Sequence, residues 1–207
     1  MKKARNKERI LSTSIELFNQ SGVVAVTTNH IAAHLEISPG NLYFHFRNKE
    51  EIIRELFDRM CTDTYGLWVP NKTVGTHDSP LALIERTLEV YWTYRFFHRE
   101  MYHLRRKDPL MARKWKRHIN KMARLLLATY GHWVKKGVLR KLDDPKEMQM
   151  IADIILGTSS WFFQFFESPE KPATRKSVKT GVDHILRFLL PYHTEKGQKE
   201  ILSRLGG

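Results

Sequence analysis

The segment that decides the fold is residues 27–50, which read TTNHIAAHLEISPGNLYFHFRNKE. Thr27 is a typical helix N-cap and precedes a short stretch whose apolar residues recur at helical spacing. Ser38 is a second N-cap, and Pro39 follows at the first helical position, where a missing N–H costs nothing. Because only a tight turn fits between the two stretches, the segment predicts a helix-turn-helix.

The flanking sequence predicts one more helix on each side of this pair. Residues 3–19 carry a one-sided apolar pattern, and Gly22 supplies the positive φ that ends such a helix. Asn48, with Glu51 three residues on, forms a capping-box pattern for a helix that continues to Met60. We therefore place a three-helix helix-turn-helix domain, closed by the start of a fourth helix, in residues 1–60.

The remaining sequence predicts further helices and no strands. It shows no sustained apolar and polar alternation, whereas 3.6-residue periodicity recurs throughout. Residues 66–79 lack periodicity, so we expect the main boundary or a flexible loop there. The helices expected beyond it begin near Pro80, Pro109, Pro145 and Thr174, and a short polar tail follows the last. The prediction is an all-α fold, with a helical C-terminal domain in residues 61–207.

The composition limits the class of protein. With 207 residues, 42% of them hydrophobic and 28% charged, the chain is long and apolar enough to fold on its own. The single Cys61 excludes both an intrachain disulfide and a zinc-finger ligand set. The N-terminus lacks the apolar core of a secretory signal, and the apolar run at residues 154–166 is too short for a bilayer span. We expect a cytoplasmic protein with no stable membrane insertion.

Residue identities in and around the helix pair match those of a known family. The shared features are Leu17-Phe18, Gly22, the Thr27-Thr28 pair, Ile31-Ala32, Ser38, Leu42-Tyr43, His45-Phe46 and Lys49-Glu50. At this spacing, residues 8–60 resemble the tetracycline-repressor (TetR/AcrR) family of transcriptional regulators. The resemblance implies a sequence-specific repressor that a small-molecule effector releases from a near-palindromic DNA operator. It also implies that residues 61–207 are a ligand-binding and dimerisation domain, with a homodimer formed by the last two long helices, at residues 145–166 and 174–190.

The exposed start of the second helix and its surroundings hold the candidate DNA contacts. The Tyr43 hydroxyl and the Lys49 ammonium suit phosphate oxygens, which position a protein without reading sequence. Asn41 can both donate to and accept from adenine, and Gly40 allows close approach to base edges in a major groove about 12 Å wide. The other candidates flank Asn41 or approach from the preceding helix: Ser38, Pro39, His45, Thr28 and Asn29.

Other residues of this domain have a different predicted role. Leu42, Phe44 and Phe46 are expected to hold a short helix against its neighbours rather than to read bases. The basic residues of the N-terminal arm either reach phosphates or a minor groove, or stay solvated at a frayed end. The arm residues are Lys2, Lys3, Arg5, Lys7 and Arg9.

The turn departs from the family pattern, which usually has glycine there. Glu36 occupies this position in the present sequence. We expect a non-glycine residue in the left-handed conformation, at a cost of about 1 kcal/mol.

Basic charge is concentrated in the middle of the chain. The formal net charge is +13, and residues 91–141 contain 15 Lys and Arg against two acidic residues. Three interpretations stay open: a solvated helix face, an anionic effector held by one or two cations, and an auxiliary DNA contact. The side chains concerned are Arg95, Arg99, Arg105, Arg106, Lys107, Arg113, Lys114, Lys116, Arg117, Lys121 and Arg124.

Aromatic residues of the second half are candidates for an effector pocket. Together they can line a cavity between helices and favour a lipophilic or aromatic effector, whereas an ordinary core is the competing explanation for each one. The candidates are Trp92, Phe96, Trp115, Tyr130, Trp133, Trp161 and Phe165. The small residues at 157–160 permit close helix approach in the expected dimer.

The sequence does not support an enzyme. It has no P-loop, no dinucleotide-binding glycine pattern and no G-x-S-x-G elbow. His30 and His34 have a spacing that can bind zinc, but they lack the His-Glu-x-x-His context. We therefore predict no catalytic residue, metal or cofactor. The competing hypothesis is a DNA-organising or membrane-surface protein on the same fold that uses the central basic helices and has no effector.

Overall fold

A computed structural model describes residues 2–68, 80–165, 167 and 173–205, with the side chains of residues 5–68, 80–165, 167 and 173–203. Over these residues the chain forms ten α-helices and one 3₁₀ turn, Leu190–Tyr192, which confirms the all-α prediction. The helices are α1 (Lys2–Ala25), α2 (Thr28–His34), α3 (Pro39–His45), α4 (Lys49–Trp68), α5 (Pro80–Thr93), α6 (Arg95–Lys107), α7 (Pro109–Lys135), α8 (Pro145–Phe165), α9 (Arg175–Leu189) and α10 (Glu195–Leu205).

Some predicted features fall partly or wholly outside the described residues. Of the predicted loop at 66–79, residues 66–68 belong to α4 and residues 69–79 lie outside the described part. Phe166 lies outside it as well. None of the helices in the described ranges combines the length and apolar composition that crossing a bilayer requires.

The chain divides into two units. The first unit comprises Met1–Thr62 and Thr93–Trp115, and the second comprises Asp63–Trp92 and Lys116–Gly207. The first unit contains the helix-turn-helix and also α6, which the sequence analysis assigned to the C-terminal domain of residues 61–207. The difference arises because helical spacing does not show which neighbours a helix packs against.

Helix α1 extends to Ala25, with a kink at Gly22. Gly22 has φ 80° and ψ 157°, the positive φ that the sequence predicts. A Cβ at this position would lie 3.1 Å from the Glu100 Oε1 atom of α6. The same oxygen accepts a hydrogen bond of 2.7 Å from the Val23 N–H. Glu100 therefore stabilises the backbone that follows the kink.

The core of the first unit is aromatic. Phe18, Phe57, Phe96 and Phe97 are each at most 1% exposed. The ring centroids of Phe18 and Phe96 are 5.2 Å apart in a tilted contact, and those of Phe57 and Phe97 are 5.4 Å apart in an edge-to-face contact, both within the favourable range of distances. Phe96, a predicted effector-pocket residue, is thus a core residue that packs α6 against α1.

The predicted helix that begins at Pro80 is interrupted at Tyr94. The buried Asn19 side chain of α1 forms hydrogen bonds with two backbone groups at this break. Its Nδ2 atom donates to the Thr93 carbonyl at 2.9 Å, and its Oδ1 atom accepts from the Phe96 N–H at 3.1 Å. Because these partners come from a distant part of the sequence, periodicity does not show the break between α5 and α6.

Replacing Asn19 with alanine is expected to lower the free energy of unfolding by about 2 kcal/mol, because the buried Phe96 N–H and the partly buried Thr93 carbonyl lose their partner. The measurement is a urea titration followed by circular dichroism. Gln20→Ala is the matched control: the exposed Gln20 amide bonds the Glu16 carboxylate at 3.3 Å, so its loss is expected to cost no more than about 0.5 kcal/mol. Equal stability of the two variants would contradict the role of Asn19.

The second unit has two hydrophobic clusters. The first cluster joins α5, α8, α9 and α10, and includes Phe163, Leu186 and Ile201. The second cluster joins the end of α4 with α5, α7 and α8, and includes Trp68 and Trp133. Trp92, a predicted pocket residue, packs against the first cluster instead, with its ring 5.6 Å from that of Phe163.

The predicted polar tail is helix α10. The Thr194 Oγ1 atom accepts from the Gly197 N–H at 3.3 Å and donates to the Gly137 carbonyl at 2.7 Å. Ile201 is 2% exposed and lies in the first cluster. This cap and one buried apolar residue explain why a short, largely polar segment is helical.

Candidate nucleic-acid interface

Helix α2 begins as the sequence predicts. The Thr27 side chain accepts from the His30 N–H at 3.2 Å, and the His30 Nδ1 atom accepts from the Thr27 N–H at 3.4 Å. This reciprocal capping box fixes the start of α2, where Asn29 is exposed and Thr28 half-buried. His30 was considered above as a zinc ligand, and its Nδ1 atom is the acceptor in this capping box.

The turn between α2 and α3 has a left-handed residue at Glu36. The Ile37 N–H donates to the Ala32 carbonyl and the Glu36 N–H to the Ala33 carbonyl, both at 3.0 Å. This pair of bonds is a Schellman motif, which usually has glycine at the position of Glu36. Glu36 has φ 54°, which confirms the expected conformation of a non-glycine residue.

The Glu36→Gly variant is expected to be more stable than the wild type by about 0.5 to 1 kcal/mol, because glycine adopts positive φ without a Cβ clash. Thermal and urea unfolding measure this change. Glu36→Ala is the control, since it removes the exposed carboxylate but keeps the Cβ. No gain for glycine over alanine would show that the turn is unstrained.

Helix α3 begins at an exposed tip. The Ser38 Oγ atom accepts from the Asn41 N–H at 3.2 Å, and Pro39 stands at the first helical position. Ser38, Pro39, Gly40 and Asn41 are all exposed. The tip therefore presents small and polar groups to solvent, as contact with base edges requires.

The apolar side chains of α3 occupy two faces. Leu42 is fully buried and Phe46 is 2% exposed, as a packing role predicts, but Phe44 is 66% exposed. The prediction for Phe44 is wrong, because Leu42 and Phe46 are four residues apart and share the buried face, whereas Phe44 lies on the other side of the helix. Tyr43, 48% exposed, and His45, whose ring is 5.2 Å from that of Phe44, complete this surface.

A hydrogen bond links α2 and α3 on their exposed side. The Thr28 Oγ1 atom and the Tyr43 hydroxyl are 3.0 Å apart, and either can donate. The structure thus brings together two candidate DNA contacts that are 15 residues apart in sequence. Two hydroxyl groups that share one hydrogen bond keep one hydrogen for another acceptor, such as a phosphate oxygen.

Lys49 has a structural role that the sequence analysis did not assign. Its Nζ atom donates to the Val23 carbonyl at 2.6 Å and to the Val26 carbonyl at 2.7 Å. Burial lowers the pKa of its ammonium group. Lys49 therefore holds the connection between α1 and α2. An ammonium has three N–H donors, so the third suits the predicted phosphate contact.

All five residues of the basic arm belong to α1. The Lys7 Nζ atom lies 3.1 Å from the Glu55 Oε1 atom, and the Arg9 guanidinium donates to the Leu35 carbonyl at 3.4 Å. These two arm residues contact other helices and the turn. The remaining three are Arg5, which is exposed, and Lys2 and Lys3, whose side chains lie outside the described residues.

Five of the seven aromatic pocket candidates do not line the cavity described below, and Trp92 of the first cluster is one of them. Phe96 is in the core of the first unit, and the half-buried Trp115 packs against that core, with its ring 6.2 Å from that of Phe57. Trp161 and Phe165 are 71% and 78% exposed on α8. The cavity therefore does not include these five, because residue type and spacing do not specify which face of a helix is covered.

Tyr130 and Trp133 line a cavity within the second unit. The volume of the cavity is about 60 Å³. The walls are formed largely by apolar side chains such as Trp68, Leu126 and Ile151, and the described lining includes no Asp, Glu, Lys or Arg. Because charged groups are costly to bury without a partner, this wall does not favour an anionic ligand.

Several of the central basic residues have partners within their own unit. The Lys114 Nζ atom lies 2.6 Å from the Asp58 carboxylate, and the Arg99 guanidinium donates to the Asn19 carbonyl at 2.8 Å. The Arg105 guanidinium lies 5.4 Å from the Trp115 ring centroid. These contacts favour the interpretation of the basic segment as helix faces with structural roles.

Comparison with known proteins identifies the class of this fold. Residues 10–56 match the family model described as bacterial regulatory proteins of the tetR family, and residues 67–201 match the model described as a TetR bacterial transcriptional repressor. The second model spans more than half of the chain, so the chain belongs to the TetR family. It is a DNA-binding transcriptional regulator, and the family's members are regulators rather than enzymes.

Individual relatives agree with this assignment. The chain is 47% identical over 47 residues to the uncharacterised regulator YerO of Bacillus subtilis and 42% identical over 52 residues to the regulator QacR of Staphylococcus aureus. These matches cover 23% and 25% of this chain, and 16% and 28% of the relatives. A TetR-family regulator from Marinobacter aquaeolei has a similar structure, with a TM-score of 0.83, 29% identity and 95% of each chain covered.

Proposed function

We propose that the protein is a homodimeric repressor that binds a near-palindromic operator through α3 and leaves it when a small lipophilic effector binds the second unit. The observation that carries this proposal is the exposed tip and outer face of α3 on a well-capped helix pair. This face combines the hydrogen-bonding side chain of Asn41 with the aromatic side chains of Tyr43 and Phe44. Such a surface supplies both hydrogen bonds to base edges and apolar contacts with thymine methyl groups, the two kinds of contact by which proteins read a major groove.

The candidate DNA contacts divide into two groups. Thr28, Tyr43 and Lys49 are proposed to bind phosphates. The two hydroxyl groups lie on the exposed side of the helix pair, and the ammonium group lies beside the segment that connects α1 to α2. Asn41 is proposed to pair with a base edge, and Phe44 to contact a thymine methyl group. The residues proposed to flank these base contacts are the exposed Asn29, Ser38, Pro39 and Gly40 and the half-buried His45.

An apolar stripe on α8 supports the dimer. Met150, Ile154, Trp161 and Phe165 are 50%, 39%, 71% and 78% exposed, at the spacing of one helix face. The exposed Gly157 interrupts the stripe, and a Cβ there would meet no atom within 4 Å. Large apolar side chains that share one exposed helix face are typical of a protein–protein interface. We assign it to a second copy of the chain, which would place two α3 helices one DNA turn apart, about 34 to 36 Å.

Selection of DNA from a random duplex pool tests the proposed function. The selected sites are expected to be inverted repeats that bind about a thousandfold more tightly than random DNA at the same salt concentration. A protein that organises DNA without an operator would bind all duplexes alike, with a steep salt dependence. Retention of unrelated sequences with equal affinity would therefore contradict the proposal.

A further inference from the structure

A cleft lies within the first unit. Its lining belongs to the end of α1, the start of α4, the end of α6 and the start of α7, all of which are parts of that unit. The volume of the cleft is about 130 Å³. An apolar cavity of about 150 Å³ is large enough to bind benzene. The cleft can therefore hold the apolar body of a small ligand.

The floor of the cleft is apolar. It is formed by Val23, Ile53, Leu104 and Met111, each at most 7% exposed. A hydrocarbon ring or a short chain that covers these side chains leaves water, which favours binding. A phosphate group of DNA has no apolar body for such a floor. The floor therefore favours a small molecule over the DNA backbone.

The rim of the cleft carries a cation without a partner. Lys107 lines the cleft from the last turn of α6 and is exposed. Unlike Lys114 and Arg99, it has no hydrogen-bond or ion-pair partner among the described residues. The exposed His103 lines the same rim, and an imidazole always carries at least one N–H donor. The rim therefore offers unused donors to a ligand.

Lys49 supplies a second ammonium group to the lining of the cleft. Two of its three N–H groups donate to backbone carbonyls near the end of α1, which leaves one. Burial lowers the pKa of this ammonium group. The carboxylates of Glu50 and Glu100 oppose this change, whereas the charge of Lys107 adds to it. The two ammonium groups are thus close enough to repel each other, and an anion between them would be attracted to both.

The carboxylates around the cleft do not neutralise Lys107. Asp108 accepts from the Arg54 guanidinium at 2.6 Å, and Glu100 accepts from a backbone N–H of α1 at 2.7 Å. Glu50 is exposed in the first turn of α4, where the helix dipole stabilises its charge. Among the described charged groups of the rim, Lys107 is therefore the one without an opposite charge.

We propose that this cleft binds a small carboxylate, with the apolar body of the ligand on the floor and its carboxylate group between Lys107 and Lys49. Hydrogen bonds from charged donors to a carboxylate are stronger than those between neutral groups. An uncharged ligand of the same shape leaves Lys107 without an anion, and an amine is repelled by it. The cleft shares no lining residue with the cavity of the second unit, so this inference goes beyond the proposed function.

Calorimetric titration of the purified protein at constant ionic strength with three probes of similar shape tests the charge preference. The probes are benzoate, benzamide and benzylamine. We expect benzoate to bind about tenfold more tightly than benzamide, with benzylamine the weakest, because the charged hydrogen bonds require an anion. Equal binding of benzoate and benzamide, tightest binding of benzylamine, or no binding of benzoate would overturn the inference.

Two variants locate this preference. Lys107→Gln is expected to weaken benzoate binding about tenfold and to remove the preference over benzamide. Arg106→Gln is the matched control, because it removes the same charge from the neighbouring position. Arg106 is exposed, does not line the cleft and lies 5.9 Å from the Tyr102 ring centroid, so benzoate affinity is expected to persist. Equal losses in the two variants would indicate a general attraction to basic surface and would overturn the site.

Nuclear magnetic resonance of ¹³C-methyl methionine places the ligand. Met111 lies in the floor of the cleft, whereas Met148 lines the cavity of the second unit. The two methyl signals are assigned with Met111→Leu and Met148→Leu. Saturation with benzoate is expected to shift the Met111 signal and to leave the Met148 signal unchanged. A shift of Met148 alone, or of neither signal, would overturn the inference.

Discussion

The Trp161→Glu variant is expected to be a monomer at concentrations at which the wild-type protein is a dimer. Trp161 is 71% exposed in the middle of the α8 stripe, between Ile154 and Phe165. A glutamate there would bury an unpaired charge and remove a large aromatic contact, a cost of about 3 kcal/mol or a factor of about 150 in the dimer dissociation constant. Sedimentation velocity over a concentration series measures this constant.

The control for this experiment is Tyr102→Glu. Tyr102 is 68% exposed, which nearly equals the exposure of Trp161, but it lies on α6. We expect this variant to dimerise like the wild type. If both variants dimerise like the wild type, the α8 stripe is not the interface.

The Asn41→Ala and Phe44→Ala variants are expected to lose operator affinity while keeping their affinity for random DNA. Both side chains are exposed on α3, so their truncation leaves the core of the helix pair intact. A lost base contact costs about 1 to 3 kcal/mol, which corresponds to about a tenfold to hundredfold weaker operator complex. Fluorescence anisotropy with the selected operator and with a scrambled duplex measures both affinities.

Tyr43→Phe provides the contrast. Loss of the hydroxyl that pairs with Thr28 is expected to weaken binding to the operator and to the scrambled duplex by the same factor. An equal loss on both duplexes for Asn41→Ala would remove Asn41 from the residues that read bases. Full operator affinity in the Phe44→Ala variant would show that Phe44 does not contact a base.

The parts of the fold that follow from local chemistry could be predicted from the sequence. Thr27 and Ser38 are caps whose partners lie three residues away, and the motif around Glu36 closes within six residues. The family resemblance of the same segment agrees with the family models. These features depend on neighbours in the chain, which the sequence displays directly.

The parts that depend on distant contacts could not be predicted. The break at Tyr94 depends on Asn19, which is 74 residues from Thr93, and the role of Lys49 depends on two carbonyls in the segment after Gly22. The cleft beside Lys49 becomes apparent only when the packing of four helices is known. The aromatic residues considered for the effector pocket illustrate the same limit. The sequence shows which residues are aromatic, but it does not show which of them face the cavity.

Photo-crosslinking to an operator with 5-bromouracil in place of thymine tests the central claim most directly, since the bromine takes the place of the methyl group in the major groove. Mass spectrometry of the crosslinked peptide is expected to identify a residue between Ser38 and His45, with Tyr43 and Phe44 the leading candidates. A crosslink confined to the basic segment at residues 105–124, with none on α3, would contradict the account.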